Sequence, residues 1–187
     1  MLSAMIVIRY FLITASAQTG IAGFIRNLTL ELERVADRRE GQVLISLPWL
    51  AYGKITLKGV LFDKFCDALK RCITEADVDV RVQTLDLRDI RKLGQRAIDK
   101  GSITQDKLDQ FLDGERELRK LAKLHGKSLQ CRAYSKLKQC VIVDDRRLFI
   151  VSTAIHSAEN EGHLGKAFLS IEVLDSLVCS EYRTLFE

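Results

Sequence analysis

The first half of the chain alternates between segments with helical spacing of apolar residues and short apolar segments typical of strands. Over residues 20–38 the apolar positions recur at intervals of three and four, which predicts an amphipathic helix with one buried face. These positions are Ile21, Phe24, Ile25, Leu28, Leu32 and Val35. Gly41 is expected to end this helix, and residues 42–47 predict a buried strand.

A second helix and a second strand follow in the same order. Helical spacing predicts the helix from Leu61, Phe65, Leu69, Cys72 and Ile73, and residues 78–83 alternate like a strand with one polar face. Alternating helices and strands are typical of parallel strands joined by crossover helices. We therefore expect the α/β class, with a mixed, mostly parallel sheet flanked by helices on both faces.

The second half predicts a helical insert and further strands. Residues 86–125 are charged and have helical apolar spacing, and strands are predicted at 128–134, 140–143, 148–151 and 166–171. A last helix contains Leu174, Leu177, Val178 and Tyr182. At 187 residues without a linker or repeat, the chain is expected to form a single domain over residues 1–187.

The amino-terminal apolar run allows two interpretations. Residues 5–13 followed by Ala15-Ser16-Ala17 have the order of a secretory signal, but no basic residue precedes the run and Arg9 interrupts it. A strand is therefore the preferred interpretation. The run is also too short for a transmembrane helix, so we expect no transmembrane segment.

Charge and cysteine content limit the class of protein. The net charge is +4, but residues 116–147 carry ten basic and three acidic residues, whereas residues 152–187 carry two and six. The five cysteines are odd in number and contain no Cys-x2-Cys pair, which favours buried thiols, a reducing compartment and a cytoplasmic protein. No cofactor and no metal site are expected.

The segment from Leu137 to Ala154 predicts a hairpin with a polar turn. An apolar strand over 140–143 leads into Asp144-Asp145-Arg146-Arg147, and a second apolar strand over 148–151 ends at Ser152. Burial on both faces is expected for both strands, because neither alternates with polar residues.

This hairpin resembles that of the phospholipase D superfamily, which reads His-x-Lys-x4-Asp, a short turn, and then Gly-Ser-x-Asn. Asp144 and Ser152 match, whereas Leu137 stands for the His, Gln139 for the Lys, Val151 for the Gly and Ala154 for the Asn. The first half is similar too, since its first strand runs into Leu47-Pro48-Trp49 and its second has the form Val-x-Val-Arg-Val. The resemblance implies a phospholipase D-like sandwich fold.

The resemblance also implies a site that has lost its chemistry. In the superfamily the His attacks phosphorus, the Lys neutralises phosphoryl oxygens, and the Asp orients a His or holds the hairpin. A leucine has no lone pair and a glutamine has no charge, so neither role is available at Leu137 or Gln139. Active members need two such hairpins, which single-copy members obtain by dimerising, and this single copy implies a homodimer or a partner protein with an intact hairpin.

Other candidate residues lie around the hairpin. His156 and the segment Glu159-Asn160-Glu161 are candidates for lining a phosphate pocket, or for an ordinary surface loop. His125-Gly126-Lys127 has the letters His-x-Lys, but Arg132 stands where the Asp belongs, so we interpret it as coincidence. Asp144-Asp145 is interpreted as a turn rather than a metal site.

Three functions follow as hypotheses. The first is a catalytically inactive domain that binds a phosphate-bearing ligand, nucleic acid above all, since basic side chains contact phosphates without a nucleophile. Its candidate binding residues are Lys123, Lys127, Lys136, Lys138, Gln139, Ser152 and His156, and the same basic block includes Arg119 and Lys120. The second is a protein-interaction or dimerisation module, and the third is an active phosphodiesterase or nuclease that uses rearranged residues such as His156 or His125.

Overall fold

The computed structural model describes residues 18–19, 21–50, 60–101, 103–153, 168–174 and 176–186. The helices are α1 (Ile21–Arg38), α2 (Val60–Thr74), α3 (Leu87–Asp99), α4 (Gln105–Leu124) and α5 (Ser176–Arg183). The strands are β1 (Gln18–Thr19), β2 (Gly41–Ser46), β3 (Val78–Thr84), β4 (Ser128–Cys131), β5 (Cys140–Val143), β6 (Arg147–Thr153) and β7 (Phe168–Val173). Short 3-10 helices cover Tyr134–Lys136 and Thr184–Phe186. The predicted α/β class is confirmed, and α3 and α4 form the helical insert.

Over the described ranges the seven strands form one mixed sheet in the order β1-β7-β6-β5-β2-β3-β4. The pairs β2–β3 and β3–β4 are parallel, and the other four described pairs are antiparallel. The expectation of a mostly parallel sheet is therefore corrected. The short turn between β5 and β6 reverses the chain, so these strands can pair only in the antiparallel direction. β5 also joins β2 in the antiparallel direction, and β7 returns along β6.

Helices cover both faces of the sheet. The main core lies on the face that carries Val43, Ile45, Val141, Val143, Phe149 and Val151, packed with apolar residues of α1, α2 and α4. The opposite face carries Leu44, Cys140, Ile142 and Leu148, packed with Cys179 of α5 and with Phe186. Successive strand residues point to opposite faces, which explains why both hairpin strands are apolar throughout. The expected burial of Val141, Val143, Phe149 and Val151 is confirmed, because none is more than 3% exposed.

The sheet has two ends with different surroundings. At the carboxyl end, β2, β3 and β4 finish, β5 begins and β6 finishes. At the amino end, β2, β3 and β4 begin, and the turn between β5 and β6 lies beside the start of β2. Ligands of α/β sheets bind preferentially outside the carboxyl ends of parallel strands.

The described chain corrects one helix boundary and leaves several predictions outside its ranges. α1 ends at Arg38 with Arg39 in the left-handed region (φ 58°), and Gly41 begins β2 instead of ending the helix. The apolar run over 5–13, Ala154, His156 and the segment 159–161 lie outside the described residues. Among the helices that are described, none is both long and apolar enough to cross a membrane.

Candidate functional site at the carboxyl end of the sheet

Leu137 is a core residue between two exposed lysines. The 3-10 helix Tyr134–Lys136 precedes it, and its backbone N–H donates to the carbonyl of Tyr134 (3.1 Å). Its side chain is 7% exposed and belongs to the main core, whereas Lys136 and Lys138 are exposed. The position that matches the family's nucleophile therefore points away from solvent, and the cations on either side of it point towards solvent.

Gln139 closes the open end of the hairpin. Its side-chain Nε2 donates to the hydroxyl of Tyr134 (2.9 Å), and its carbonyl accepts from the backbone N–H of Val151 (2.8 Å). Gln139 has a positive φ of 49°, which redirects the chain just before β5. The amide thus joins the 3-10 helix to the start of the hairpin, which is a structural role.

Two hydrogen bonds hold the main chain of Lys138 and of Arg132 beside the carboxyl ends of neighbouring strands. The backbone N–H of Lys138 donates to the hydroxyl of Ser46, the last residue of β2 (3.1 Å). The backbone N–H of Arg132 donates to the carbonyl of Thr84, the last residue of β3 (2.8 Å). The Arg132 side chain is exposed. Because β2 and β3 are adjacent, Lys138 and Arg132 follow one another along the carboxyl end.

The backbone of Ser152 also lies at this end of the sheet. Ser152 is the second-to-last residue of β6, and its Cα is paired with that of Leu169 in β7. Of the positions aligned with the motif, Leu137, Gln139 and Ser152 are therefore at the carboxyl end.

Asp144 lies at the amino end instead. Its Oδ1 accepts from the backbone N–H of Gln42 (3.0 Å), and its Oδ2 forms an ion pair with Arg38. The four residues of β5, about 13 Å long, separate it from Gln139. Asp144 holds the hairpin turn against β2 and the end of α1, and Asp145 forms an ion pair with Arg183 of α5 (2.6 Å).

The candidate lysines divide between the two ends of the sheet. Lys127 precedes β4, and its Nζ donates to the carbonyls of Glu75 and Val78 (both 2.6 Å) at the start of β3. Lys123 lies in the last turn of α4, four residues before Lys127. The seven residues of β3, about 23 Å in length, separate this amino-end pair from Lys136 and Lys138. The basic block therefore does not form one continuous surface.

Residues at positions 115 and 119 form a buried polar cluster that the sequence-based interpretation missed. Glu115 and Arg119 form an ion pair on α4 (Nε to Oε2, 3.1 Å), and both side chains are buried. The charge of Arg119 predicts a place in the exposed basic block, and this prediction is wrong because the side chain is buried. The helical spacing carries the missing signal, since 115 and 119 are each seven residues after an apolar position, Leu108 and Leu112, on the buried face.

Burial sets the protonation state of two thiols, those of Cys72 and Cys140. Burial raises the pKa of Cys72 and Cys140 to about 12, so both are protonated and unreactive at neutral pH. Within the described residues, no group of three or more His, Cys, Asp or Glu side chains is arranged to hold a metal ion. Among the described residues at the carboxyl end of the sheet, exposed cationic side chains on a fixed backbone are thus the main groups available to contact a ligand.

The sequence matches no known family model and no curated protein.

Proposed function

We propose that this protein is a phospholipase D-like domain that has lost catalysis and binds a phosphate-bearing ligand, nucleic acid, across the carboxyl end of its sheet. One observation carries the proposal. Lys136 and Lys138 are exposed on either side of Leu137, whose side chain is buried and which aligns in sequence with the nucleophile of the superfamily's hairpin. A site with this arrangement retains positive charge for phosphates and offers no group to attack them.

The loss of chemistry follows from the two matched positions. An attacking group needs a lone pair and access to phosphorus, and Leu137 has neither. Gln139 is uncharged, and its amide nitrogen donates to Tyr134. Neither residue supplies the covalent step or the charge neutralisation that the superfamily's reaction requires.

Binding of a phosphate backbone needs neither a nucleophile nor a covalent step. Ammonium and guanidinium groups contact phosphate oxygens directly, and such contacts position a nucleic acid without reading its sequence. Lys138 and Arg132 are anchored to adjacent strand ends about 4.8 Å apart, with Lys136 beside them. Arg132 donates one hydrogen bond to Gln130 (2.7 Å), which uses one of five guanidinium N–H groups.

The chemistry of this surface favours the nucleic-acid backbone over the bases. Tyr134 precedes Lys136 by two residues, and its hydroxyl accepts from Gln139 while its ring packs against the main core. Stacking on exposed aromatic rings, which dominates many single-strand binders, has no comparable platform here in the described chain. The expected binding is therefore tolerant of sequence and sensitive to salt.

The test is a fluorescence titration of a labelled duplex and a labelled single strand at about 50 mM and about 200 mM salt. With two or three phosphate contacts, the wild-type affinity should fall by about tenfold to fortyfold between these salt concentrations. Lys136→Glu/Lys138→Glu should bind at least about tenfold more weakly and show a salt slope reduced by about two contacts.

The matched control is Arg26→Glu/Lys64→Glu, which changes the charge equally at exposed positions of α1 and α2. This control should bind like the wild type. Equal affinity of the Lys136→Glu/Lys138→Glu protein and the wild type, or no binding of either strand form at low salt, would reject the proposal.

We also propose that the protein is a homodimer. The support is the single copy of the hairpin in a chain that resembles a superfamily with paired hairpins. Sedimentation velocity at micromolar protein should give the mass of two chains, and a monomer at that concentration would count against this assembly.

A further inference from the structure

A groove with a basic rim runs between α3 and α4, the two helices of the insert. It has a volume of about 520 Å³. Four cationic side chains line it, Arg88, Arg91, Lys92 and Arg116. The half-buried Leu87 contributes apolar surface, whereas Leu112 borders the groove but is only 2% exposed. No carboxylate is among its lining residues in the described chain.

The spacing of α3 makes the rim a continuous stripe. Arg88, Arg91, Lys92 and Gln95 follow one another at intervals of three, one and three residues, so they share one side of the helix. All four are exposed. Arg116 faces them from α4. The groove therefore presents cations from both of its walls.

The two walls are held together by close packing beneath the groove. Gly94 on α3 lies against Leu108 of α4, and a Cβ at this glycine would collide with the Leu108 side chain. Ile90 and Ala97, one turn on either side of Gly94, are buried as well. The backbones of the two groove walls are therefore held close to one another by this packing.

The charges in the groove are only partly compensated. Lys92 pairs with Asp89 (3.8 Å) and Arg116 with Asp113 (2.5 Å), in exposed pairs within one helix. Exposed pairs of this kind contribute little and are readily exchanged for another carboxylate. In the part of the chain that the structure describes, no carboxylate lies within ion-pair distance of Arg88 or Arg91. The groove therefore has an unmet preference for negative charge.

The apolar floor distinguishes between classes of ligand. No aromatic side chain among the described residues lines the groove, so bases have no stacking surface there, and a phosphate backbone offers no apolar group to cover Leu87. A helix with one apolar stripe and flanking carboxylates matches both features, because its stripe covers the floor while its carboxylates reach the arginines. Arginine and carboxylate also form two-pronged pairs that fix orientation.

We propose that the α3–α4 groove binds an acidic amphipathic helix of a partner protein. The length of α3, 13 residues or about 20 Å, matches a bound helix of three to four turns. This surface uses residues other than Lys136 and Lys138, so it stands whether or not the carboxyl end of the sheet binds nucleic acid.

The probes are three fluorescein-labelled synthetic peptides of about 14 residues, each with leucines on one helical stripe and glutamates on both sides of it. The three peptides place leucines at i, i+3, i+7; at i, i+4, i+7; and at i, i+4, i+8. At least one peptide should bind the full-length protein in fluorescence anisotropy at low salt. Replacing its glutamates by glutamines should weaken binding at least about tenfold.

Arg88→Glu/Arg91→Glu should weaken the same peptide at least about tenfold, whereas Arg26→Glu/Lys64→Glu, with an equal change of charge at exposed sites elsewhere, should bind like the wild type. Circular dichroism of both variants checks that they are folded. Amide shift perturbations in a nitrogen–proton correlation spectrum should fall on residues of α3 and α4.

Three results would overturn the proposal. The first is the absence of binding by all three peptides at about millimolar concentration. The second is unchanged affinity in the folded Arg88→Glu/Arg91→Glu protein, or shift perturbations outside α3 and α4. The third is an oligonucleotide that perturbs the same amides and displaces the peptide at lower concentration, which would assign the groove to nucleic acid.

Discussion

Arg119 lies one helical turn after Glu115 on the buried face of α4, and its Nε donates to the carboxylate of Glu115 over 3.1 Å. The other carboxylate oxygen of Glu115 accepts from the backbone N–H of Leu50. The Nη2 of Arg119 donates to the carbonyl of Leu85 (2.7 Å) and to the hydroxyl of Thr84 (3.3 Å). The pair thus joins α4 to the segments that follow β2 and β3.

Removal of either partner of this ion pair should destabilise the fold. Glu115→Ala leaves Arg119 buried with its charge uncompensated, and we expect the free energy of unfolding to fall by about 3–5 kcal/mol. Urea denaturation followed by circular dichroism measures it. The control is Arg116→Ala at the exposed neighbouring position, which should change stability by about 0.5 kcal/mol or less. Equal stabilities of the two variants would contradict a structural role for the pair.

Gly41 should tolerate no side chain, because it has a φ of 126° and its α-carbon faces the Asp144 carboxylate. We expect Gly41→Ala to lower the free energy of unfolding by at least about 2 kcal/mol. Gly126 also has a positive φ, 65°, but no atom lies near the position of its missing Cβ, so Gly126→Ala should cost only about 1 kcal/mol. In a Gly41→Ala/Asp144→Ala protein the two losses should not add, because the obstructing carboxylate is gone. Additive losses would argue against the contact.

Lys127 should be a stabilising lysine and not a ligand-binding one. Lys127→Met removes two charge-assisted hydrogen bonds to the carbonyls of Glu75 and Val78, and we expect a loss of about 1–3 kcal/mol in the free energy of unfolding. Lys123→Met and Lys136→Met, at exposed positions, should each change it by less than about 0.5 kcal/mol. Chemical denaturation measures the free energy of unfolding of the three variants. A Lys127→Met protein as stable as the Lys123→Met protein would refute this assignment.

Alkaline pH should destabilise the protein through its buried thiols. Burial raises the pKa of Cys140 to about 12 in the folded state, above its ordinary value of 9.0. Above pH 9 the unfolded chain therefore loses this proton while the folded chain keeps it, so the thiol's contribution to stability declines as the pH rises from 9 towards 12. Cys72 has the same shift for the same reason.

The measurement is the free energy of unfolding from neutral pH to about pH 10. Cys140→Ala should be less stable at neutral pH and should lose less stability on the alkaline side than the wild type does. Cys131→Ala, which removes an exposed thiol, should follow the wild-type curve in shape. A Cys140→Ala protein with an unchanged alkaline slope would show that this thiol is not the titrating group.

The protein should not cleave phosphodiesters. Purified protein is expected to show no turnover of DNA, RNA or a chromogenic phosphodiester above the uncatalysed rate, because Leu137 and Gln139 supply neither nucleophile nor fixed charge. Leu137→His/Gln139→Lys should not create activity, since the side chain at 137 points into the core, and it should lower stability. Robust cleavage that is lost in His156→Ala would point instead to a rearranged active site.

The sequence determined the local elements of this protein. Apolar spacing of three and four identified α1 and α2, and the uninterrupted apolar residues of β5 and β6 identified strands buried on both faces. These features are readable because side-chain periodicity is set by the backbone geometry of a helix or a strand, and each period spans only a few residues.

Only the tertiary structure decided how the polar residues are used. Charge alone grouped Arg119 and Lys127 with Lys136 and Lys138, whereas the fold buries Arg119 beside Glu115, uses Lys127 to bind carbonyls at the start of β3, and leaves the other two exposed. The antiparallel pairing of β5 with β2 joins residues such as Gln42 and Asp144, which are 102 positions apart. Which residues become such partners depends on packing across the whole sheet. The local sequence around a long polar side chain is the same whether that side chain contacts solvent, a carbonyl or a buried carboxylate.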